Sequence, residues 1–217
     1  MKLISPVKAL FLDIGGVLLT NGWDHQSRMH AAKYFGLDFN EFNERHHATF
    51  DTYESGKMSL KEYLELTVFY QSTNFTIDEF RSFLLNESKP FPEMIELIST
   101  IKRNYNLRTI AVNNEPKEIN EYRIQKYGLD SFIDVFASSC YIQTRKPDKE
   151  IYRFALNLAH AEPEEVIYID DRCVLIQAAH ALGLNTIHHT SVAATRNALA
   201  RFGLHYNPSL EQLNLIK

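Results

Sequence analysis

Lys8-Ala9-Leu10-Phe11-Leu12-Asp13-Ile14-Gly15-Gly16-Val17-Leu18 is an apolar run that meets one carboxylate and then breaks on glycines. Residues 8–13 read as a buried strand, and Asp13 stands where that strand stops and a glycine turn starts. In an open α/β sheet, ligands bind outside the carboxyl ends of the strands. An acid placed there, beside flexible backbone, is positioned for chemistry rather than for packing. A second run of the same kind lies far downstream: Val166-Ile167-Tyr168-Ile169-Asp170-Asp171. Two buried strands that each end in carboxylate gather acids at one sheet edge. Such a cluster repels itself unless a cation joins it, and oxygen ligands of this kind suit a hard divalent ion.

Outward from these runs the chain changes character twice. Between about 20 and 88 the apolar positions recur at helical spacing. Met29, Ala32 and Phe35 form one set that Gly36 stops, and Phe39, Phe42 and His46 to Phe50 form a second. Ser55-Gly56-Lys57 breaks the second helix. Ser59 and Glu62 form a capping box ahead of a helix carrying Leu60, Tyr63, Leu64, Leu66, Thr67 and Tyr70. A fourth helix spans Thr76 to Leu85, with Glu79 three residues after Thr76. From Pro90 strands and helices alternate. Helices are expected at Pro92–Tyr105, Pro116–Tyr127, Asp148–Ala161, Arg172–Leu182 and Val192–Phe202. Strands are expected at Leu107–Val112, Ile133–Ala137, Val166–Ile169 and Asn185–His188. This alternation predicts a parallel sheet with helices on both faces. The expected fold is therefore α/β, a doubly wound, Rossmann-like core of residues 1–19 and 89–217 with a small α-helical cap inserted at 20–88.

The bulk numbers are compatible with that plan. The chain has 217 residues, enough for one large domain or a core with a small insertion. A net charge of -4 and the lack of a Lys/Arg cluster argue against nucleic-acid binding. No stretch approaches a membrane span, and the first dozen residues lack a signal-peptide pattern. The two cysteines, Cys140 and Cys173, have no metal-type spacing, so a reducing cytoplasm is the expected location. A packing role at a helix start is expected for Cys173.

Four segments fall at strand tips or just before helices: Asp13-Ile14-Gly15-Gly16-Val17, Val112-Asn113-Asn114, Thr144-Arg145-Lys146-Pro147 and Ile169-Asp170-Asp171. In this order and spacing the chain resembles the haloacid dehalogenase-like (HAD) superfamily, over nearly its whole length and with the inserted cap. The resemblance implies a phosphatase that uses Mg²⁺. Asp13 would attack phosphorus and form an aspartyl-phosphate that water hydrolyses. Asp170 would ligate the metal with Asp13 and the Gly15 carbonyl, Asp171 supporting through water. Lys146 would pair with the nucleophile and the phosphoryl group, and Asn113 would hydrogen-bond a phosphoryl oxygen. Charge balance agrees, since a phosphoryl group near carboxylates needs cations to offset it.

The chain departs from the family pattern in three places. Gly15 stands where a second Asp commonly serves as general acid and base. Losing such a group costs on the order of 10²–10⁴-fold, or about 3–5 kcal/mol. Some relatives lack it and still work, and its loss favours good leaving groups such as anomeric or acyl phosphates. A water or a cap residue such as Asp24 can stand in. Asn113 replaces a phosphate-binding Ser/Thr. The acid often found a few residues after the acidic pair is missing, with Val174 and Leu175 there instead.

Each candidate also has a plain structural reading. Asp13 and the Asp170-Asp171 pair can cap the elements that follow them, Lys146 can be a solvated loop lysine, and Asn113-Asn114 can be a turn pair. Trp23, the sole tryptophan, can stack on a sugar face at the cap entrance or pack inside the cap. Asn21, Asp24, Tyr53 and Asn114 are further substrate candidates. His46-His47 and His188-His189 read as surface and strand-end histidines, and Arg145 as surface or structural rather than catalytic. Gly22 and Lys89-Pro90 read as hinges. The expected partner is a small phosphorylated metabolite, a sugar phosphate for instance, bound by a monomer or homodimer. Three rivals use the same fold: a dehalogenase, which needs no metal; a phosphomutase, which needs the acid that Gly15 replaces; and a non-catalytic relative that binds a ligand or partner without turnover.

Overall fold

The computed structural model describes residues 6–208. Five short strands, β1 (Ala9–Leu12), β2 (Arg108–Ala111), β3 (Val135–Phe136), β4 (Val166–Asp170) and β5 (Asn185–His188), form one parallel sheet in the order β3-β2-β1-β4-β5. Each face of β1 is buried because successive side chains point to opposite sides. Leu10 and Leu12 pack with Met94, Ile98 and Ile101 of α5 (Pro92–Tyr105) and Leu199 of α10 (Val192–Arg201). Ala9 and Phe11 pack with Ile151 and Tyr152 of α8 (Lys149–Ala159) and Ala179 of α9 (Cys173–His180). Helices on both faces of a parallel sheet give the doubly wound core that the alternation predicts.

Between β1 and α5 the chain builds a helical cap from α1 (His25–Phe35), α2 (Phe39–Glu54), α3 (Leu60–Thr67) and α4 (Ile77–Asn86). These helices enclose their own core, with Phe42, Tyr63, Leu64, Phe80 and Leu84 at its centre. Both capping boxes form as expected, Ser59 with Glu62 and Thr76 with Glu79. Where the chain leaves for the cap and returns, the two crossings are paired: Thr20 N donates to the Lys89 carbonyl at 2.8 Å and Phe91 N to the Leu18 carbonyl at 2.9 Å. The expected hinge residues lie at this junction, and the outer ends of the expected core segments, 1–5 and 209–217, lie outside the described residues.

Some local expectations change. α3 ends at Thr67, leaving Leu66 and Tyr70 outward. In α1 the inward face carries Ser27, Arg28, Ala31 and Ala32, and Met29 is exposed. Of the expected apolar set, Ala32 is buried and Phe35 packs against the cap core; only Met29 fails, because Ser27 and Arg28 take the inward positions beside it. A short helix, α7 (Ser139–Ile142), follows β3. After α6 (Lys117–Tyr127), Gly128 closes the helix in the left-handed region, as expected. Among the described residues no helix is long and apolar enough to cross a membrane.

Candidate active site

Strand register brings the first acids together. Leu12 pairs with Ile169 across the β1–β4 ladder, and Asp13 N donates to the Ile169 carbonyl at 2.9 Å. The next residues, Asp13 and Asp170, therefore stand side by side at the carboxyl edge, with neighbouring strands about 4.8 Å apart. Asp171 follows, and the three acids present oxygens that all lie within 4.8 Å of one another. β1 is where strand order reverses, so the crevice of a doubly wound sheet opens at Asp13.

Lys146 supplies the positive charge. Its Nζ donates to Asp170 Oδ2 at 2.7 Å, lies 3.1 Å from Asp13 Oδ1 and reaches the Tyr168 hydroxyl at 3.1 Å. The lysine is buried. Burial works against its charge, but Asp13 and Asp170 outweigh that and raise its pKa. Burial also opposes ionisation of Asp170. Lys146, the Tyr168 hydroxyl and the Arg172 N–H nevertheless hold its carboxyl below the usual range. Asn114 fixes the lysine's backbone with both ends of its amide: Oδ1 accepts from Lys146 N at 2.7 Å, and Nδ2 donates to the Lys146 carbonyl at 2.9 Å. The structure thus brings Asn114, expected at the substrate, to the Lys146 backbone.

The three acids fit a divalent cation on two observations. Asp171 Oδ1 is buried without a hydrogen-bond partner, an expensive state for a carboxylate oxygen. Asp13 has its carboxyl pushed up to about 7 by burial, with Lys146 opposing and Asp170 adding to the shift. One ammonium therefore undercompensates the cluster, and a further positive charge there would favour the ionised forms. Gly16 makes room for this arrangement. At its φ of 77° an added Cβ would lie 2.2 Å from Asp171 Oδ2. Gly15 lines the cavity beside Asp13.

That cavity has a volume of about 530 Å³ and lies between core and cap, within the range of small-molecule sites. Asn21, Trp23, Asp24 and Tyr53 all line it. Trp23 is also committed to the cap core: its Nε1 donates to the Tyr63 hydroxyl at 2.9 Å, and its ring meets Phe80 edge-on. Asp24 caps α1 through Ser27. Asn113 is buried, its Nδ2 donating to Asn120 at 3.1 Å and its Oδ1 accepting from Ser138 at 2.7 Å.

Several residues important here are not evident from the sequence. Glu115 and Arg123 form a buried ion pair under the cavity, and Arg123 Nη2 also donates to the Thr20 carbonyl at 2.6 Å. Arg28 and His46 line the cavity from the cap. The expectation of a surface position for His46 fails, because α2 turns it into the cap core, where it meets Tyr63. His47, His188 and His189 do not share that burial. Cys173 is exposed at the start of α9 rather than packed. Arg145 lines the cavity and ties the loop before Lys146 to Asp51 and Glu54 of the cap.

Comparison with known proteins agrees with this geometry. A model of the haloacid dehalogenase-like hydrolases matches residues 7–183. The chain is 24% identical over 188 residues to a phosphorylated carbohydrates phosphatase of Thermotoga maritima, covering 84% of each protein. It is 29% identical over 117 residues to bifunctional epoxide hydrolase 2 of Sus scrofa, covering 52% of this chain and 21% of that larger protein. Among solved structures, a HAD family enzyme from Bacteroides thetaiotaomicron, in complex with magnesium and inorganic phosphate, superposes with a TM-score of 0.71. That match is at 18% identity and covers 83% of this chain and 93% of the other. The matched segment runs from the strand that delivers Asp13 to beyond the strand that delivers Asp170, and the chain belongs to the haloacid dehalogenase-like hydrolase family.

Proposed function

We propose that this hydrolase is a Mg²⁺-dependent phosphatase of small phosphorylated metabolites, sugar phosphates among them, acting through Asp13. The single observation that carries the reading is that Asp13 and Asp170, each one residue past the Leu12–Ile169 pair of the β1–β4 ladder, share the buried Lys146 ammonium. In this reading residues 20–88 form the cap domain, and the described residues 6–19 and 89–208 belong to the core. Similarity to a phosphorylated carbohydrates phosphatase supports the substrate class.

In this scheme an Asp13 carboxylate oxygen attacks phosphorus, the Asp–O–P bond forms, and the ester P–O bond breaks to release the alcohol oxygen. Water then attacks the phosphoryl group, and phosphate leaves as Asp13 is restored. Asp13, Asp170, Asp171 and the Gly15 carbonyl would hold Mg²⁺, which supplies Lewis-acid charge compensation on the phosphoryl oxygens. Lys146 stays protonated and faces the developing negative charge, with Asn114 setting its position. Gly15 offers no proton to the leaving oxygen, so water or a cavity acid such as Asp24 supplies it. That favours leaving groups that depart as weak bases, such as anomeric and acyl phosphates. The cavity between cap and core limits access of bulk water to the phosphoenzyme.

The test is phosphate release from sugar, acyl and aryl phosphates by wild type and Asp13→Asn, with Mg²⁺ and with chelator. Release should need Mg²⁺ and fall by at least about 10³-fold in Asp13→Asn, as expected for loss of a nucleophile. The second reading is a non-catalytic binding protein, favoured by Gly15 and by the engaged amide of Asn113. No release from any compound by folded wild type would decide for it.

A further inference from the structure

One cation lining the cavity has no part in the phosphoryl chemistry above. Arg28 lies in the first turns of α1 and is only 5% exposed. Its partners are neutral. Nε and Nη2 donate to Asn43 Oδ1 at 3.3 and 3.0 Å, and Nη1 donates to the Trp23 carbonyl at 2.9 Å. A guanidinium has five N–H groups, so two remain. The other buried cations of the cavity are matched: Arg123 by Glu115, and Lys146 by Asp13 and Asp170. Arg28 makes no ion pair among the described residues. Asp24 and Glu54 act on it only from a distance, and Asp24 Oδ1 already accepts from Ser27 N and Oγ.

Stability does not account for such a group. Burying an unpaired charge is costly, and a cation near a helix N-terminus opposes the helix dipole. Folding therefore places Arg28 at a cost that a ligand's negative charge can offset.

Trp23 Nε1 can only donate, so the Tyr63 hydroxyl accepts from it at 2.9 Å. The Tyr63 hydroxyl also lies 2.8 Å from His46 Nδ1, where its proton finds an acceptor in the Nε2–H tautomer. In that tautomer Nδ1 accepts and the imidazole hydrogen sits on Nε2. That N–H has no partner among the described residues, and His46 lines the cavity with Arg28. Two side chains on different cap helices thus offer donors to one space. Such a wall suits a group made only of acceptors.

Resting on the phosphatase reading, we propose that Arg28 and His46 form a subsite for a second anionic group of the substrate, a carboxylate or another phosphate. The preferred substrate then carries two anions: one meets Asp13 and Lys146, and the other meets Arg28. Arg28 is the specificity-determining residue, and His46 adds a neutral donor.

The test compares matched pairs that differ by one anion. 3-Phosphoglycerate against glycerol 3-phosphate probes a carboxylate, and glucose 1,6-bisphosphate against glucose 1-phosphate probes a phosphate. In at least one pair, wild-type kcat/KM should favour the doubly anionic member by about tenfold or more, the scale of a charge-assisted hydrogen bond. The pair that shows it identifies the anion. Arg28→Gln should abolish the preference, and Arg28→Lys should keep part of it. No preference in either wild-type pair overturns the proposal without any variant, and so does a preference that survives Arg28→Gln. Calorimetric binding of the same pairs to Asp13→Asn separates the two proposals. Anion-selective binding that needs Arg28, with no phosphate release by wild type, keeps the subsite and rejects the phosphatase. Phosphate release without anion preference does the reverse.

Discussion

At Gly15 an added Cβ would meet Asn21 Oδ1 at 2.9 Å, the far end of a side chain that can turn aside. The position therefore accepts a short acid, and chemistry rather than space separates it from relatives that carry one. Gly15→Asp should raise kcat on an alkyl phosphate by about 10²-fold, the lower end of what a positioned general acid supplies. It should leave an acyl phosphate little changed, because that leaving group needs no proton. Steady-state kinetics on the two substrates would sink the idea if both responded equally. Asp13, Lys146 and the Asp170-Asp171 pair are legible as single residues, because each sits at a strand end or before a helix start. Arg28 is not legible. A charged residue in an amphipathic helix reads as solvent-facing, and only its burial beside Asn43 and Trp23 shows otherwise.

α2 makes the same point at the scale of an element. His46, Phe50, Tyr53 and Glu54 recur at the spacing of one helical face and line the cavity together. Burial, followed by the charges of Arg28 and His47, pushes the His46 imidazole down to about 3. The unfolded chain then takes up a proton near the ordinary value of 6.5 while the folded chain does not. Between about 3 and 6.5 the unfolded state binds more protons, so stability falls as pH falls through that window. From pH 7 to pH 5 this one group should remove about 2 kcal/mol. Urea unfolding at both pH values should show that loss in wild type and its disappearance in His46→Gln. An unchanged pH dependence in the variant would refute it. The capping boxes of α3 and α4 are legible in advance because their partners lie three residues apart. The inward turn of His46 depends on Tyr63, 17 residues away, and has no local signature.

Across the whole molecule, cap and core meet along the end of α2. Arg145 binds Asp51 and Glu54, Ser139 Oγ donates to the Glu54 carbonyl at 2.6 Å, and Leu60 N donates to Glu118 Oε1 at 2.8 Å. Gly56 lets this seam close. It has a φ of 68°, and an added Cβ would lie 2.2 Å from the Cys140 carbonyl oxygen, backbone that cannot turn aside. Gly56→Ala should therefore pry the cap off the core loop that carries Lys146. We expect kcat to fall by about 10- to 10²-fold, the scale of a small misplacement. Amide exchange at Leu60 should quicken while that of the β1 strand stays slow. Normal kcat with normal protection at Leu60 would show that the seam does not set the site.

The sequence by itself determined the doubly wound core, the inserted helical cap and the edge where the acids gather. Those features depend on hydrophobic period, glycine and proline punctuation, and carboxylates at strand ends, all of which are local. Tertiary structure alone decided what those local patterns leave open. It gave Asn114 to the Lys146 backbone, left Asp171 Oδ1 without a partner and matched Arg123 with Glu115. It also turned Arg28 and His46 inward. The reason is physical: whether a polar side chain is paired, buried or free depends on groups far away in the chain, and no periodicity records them.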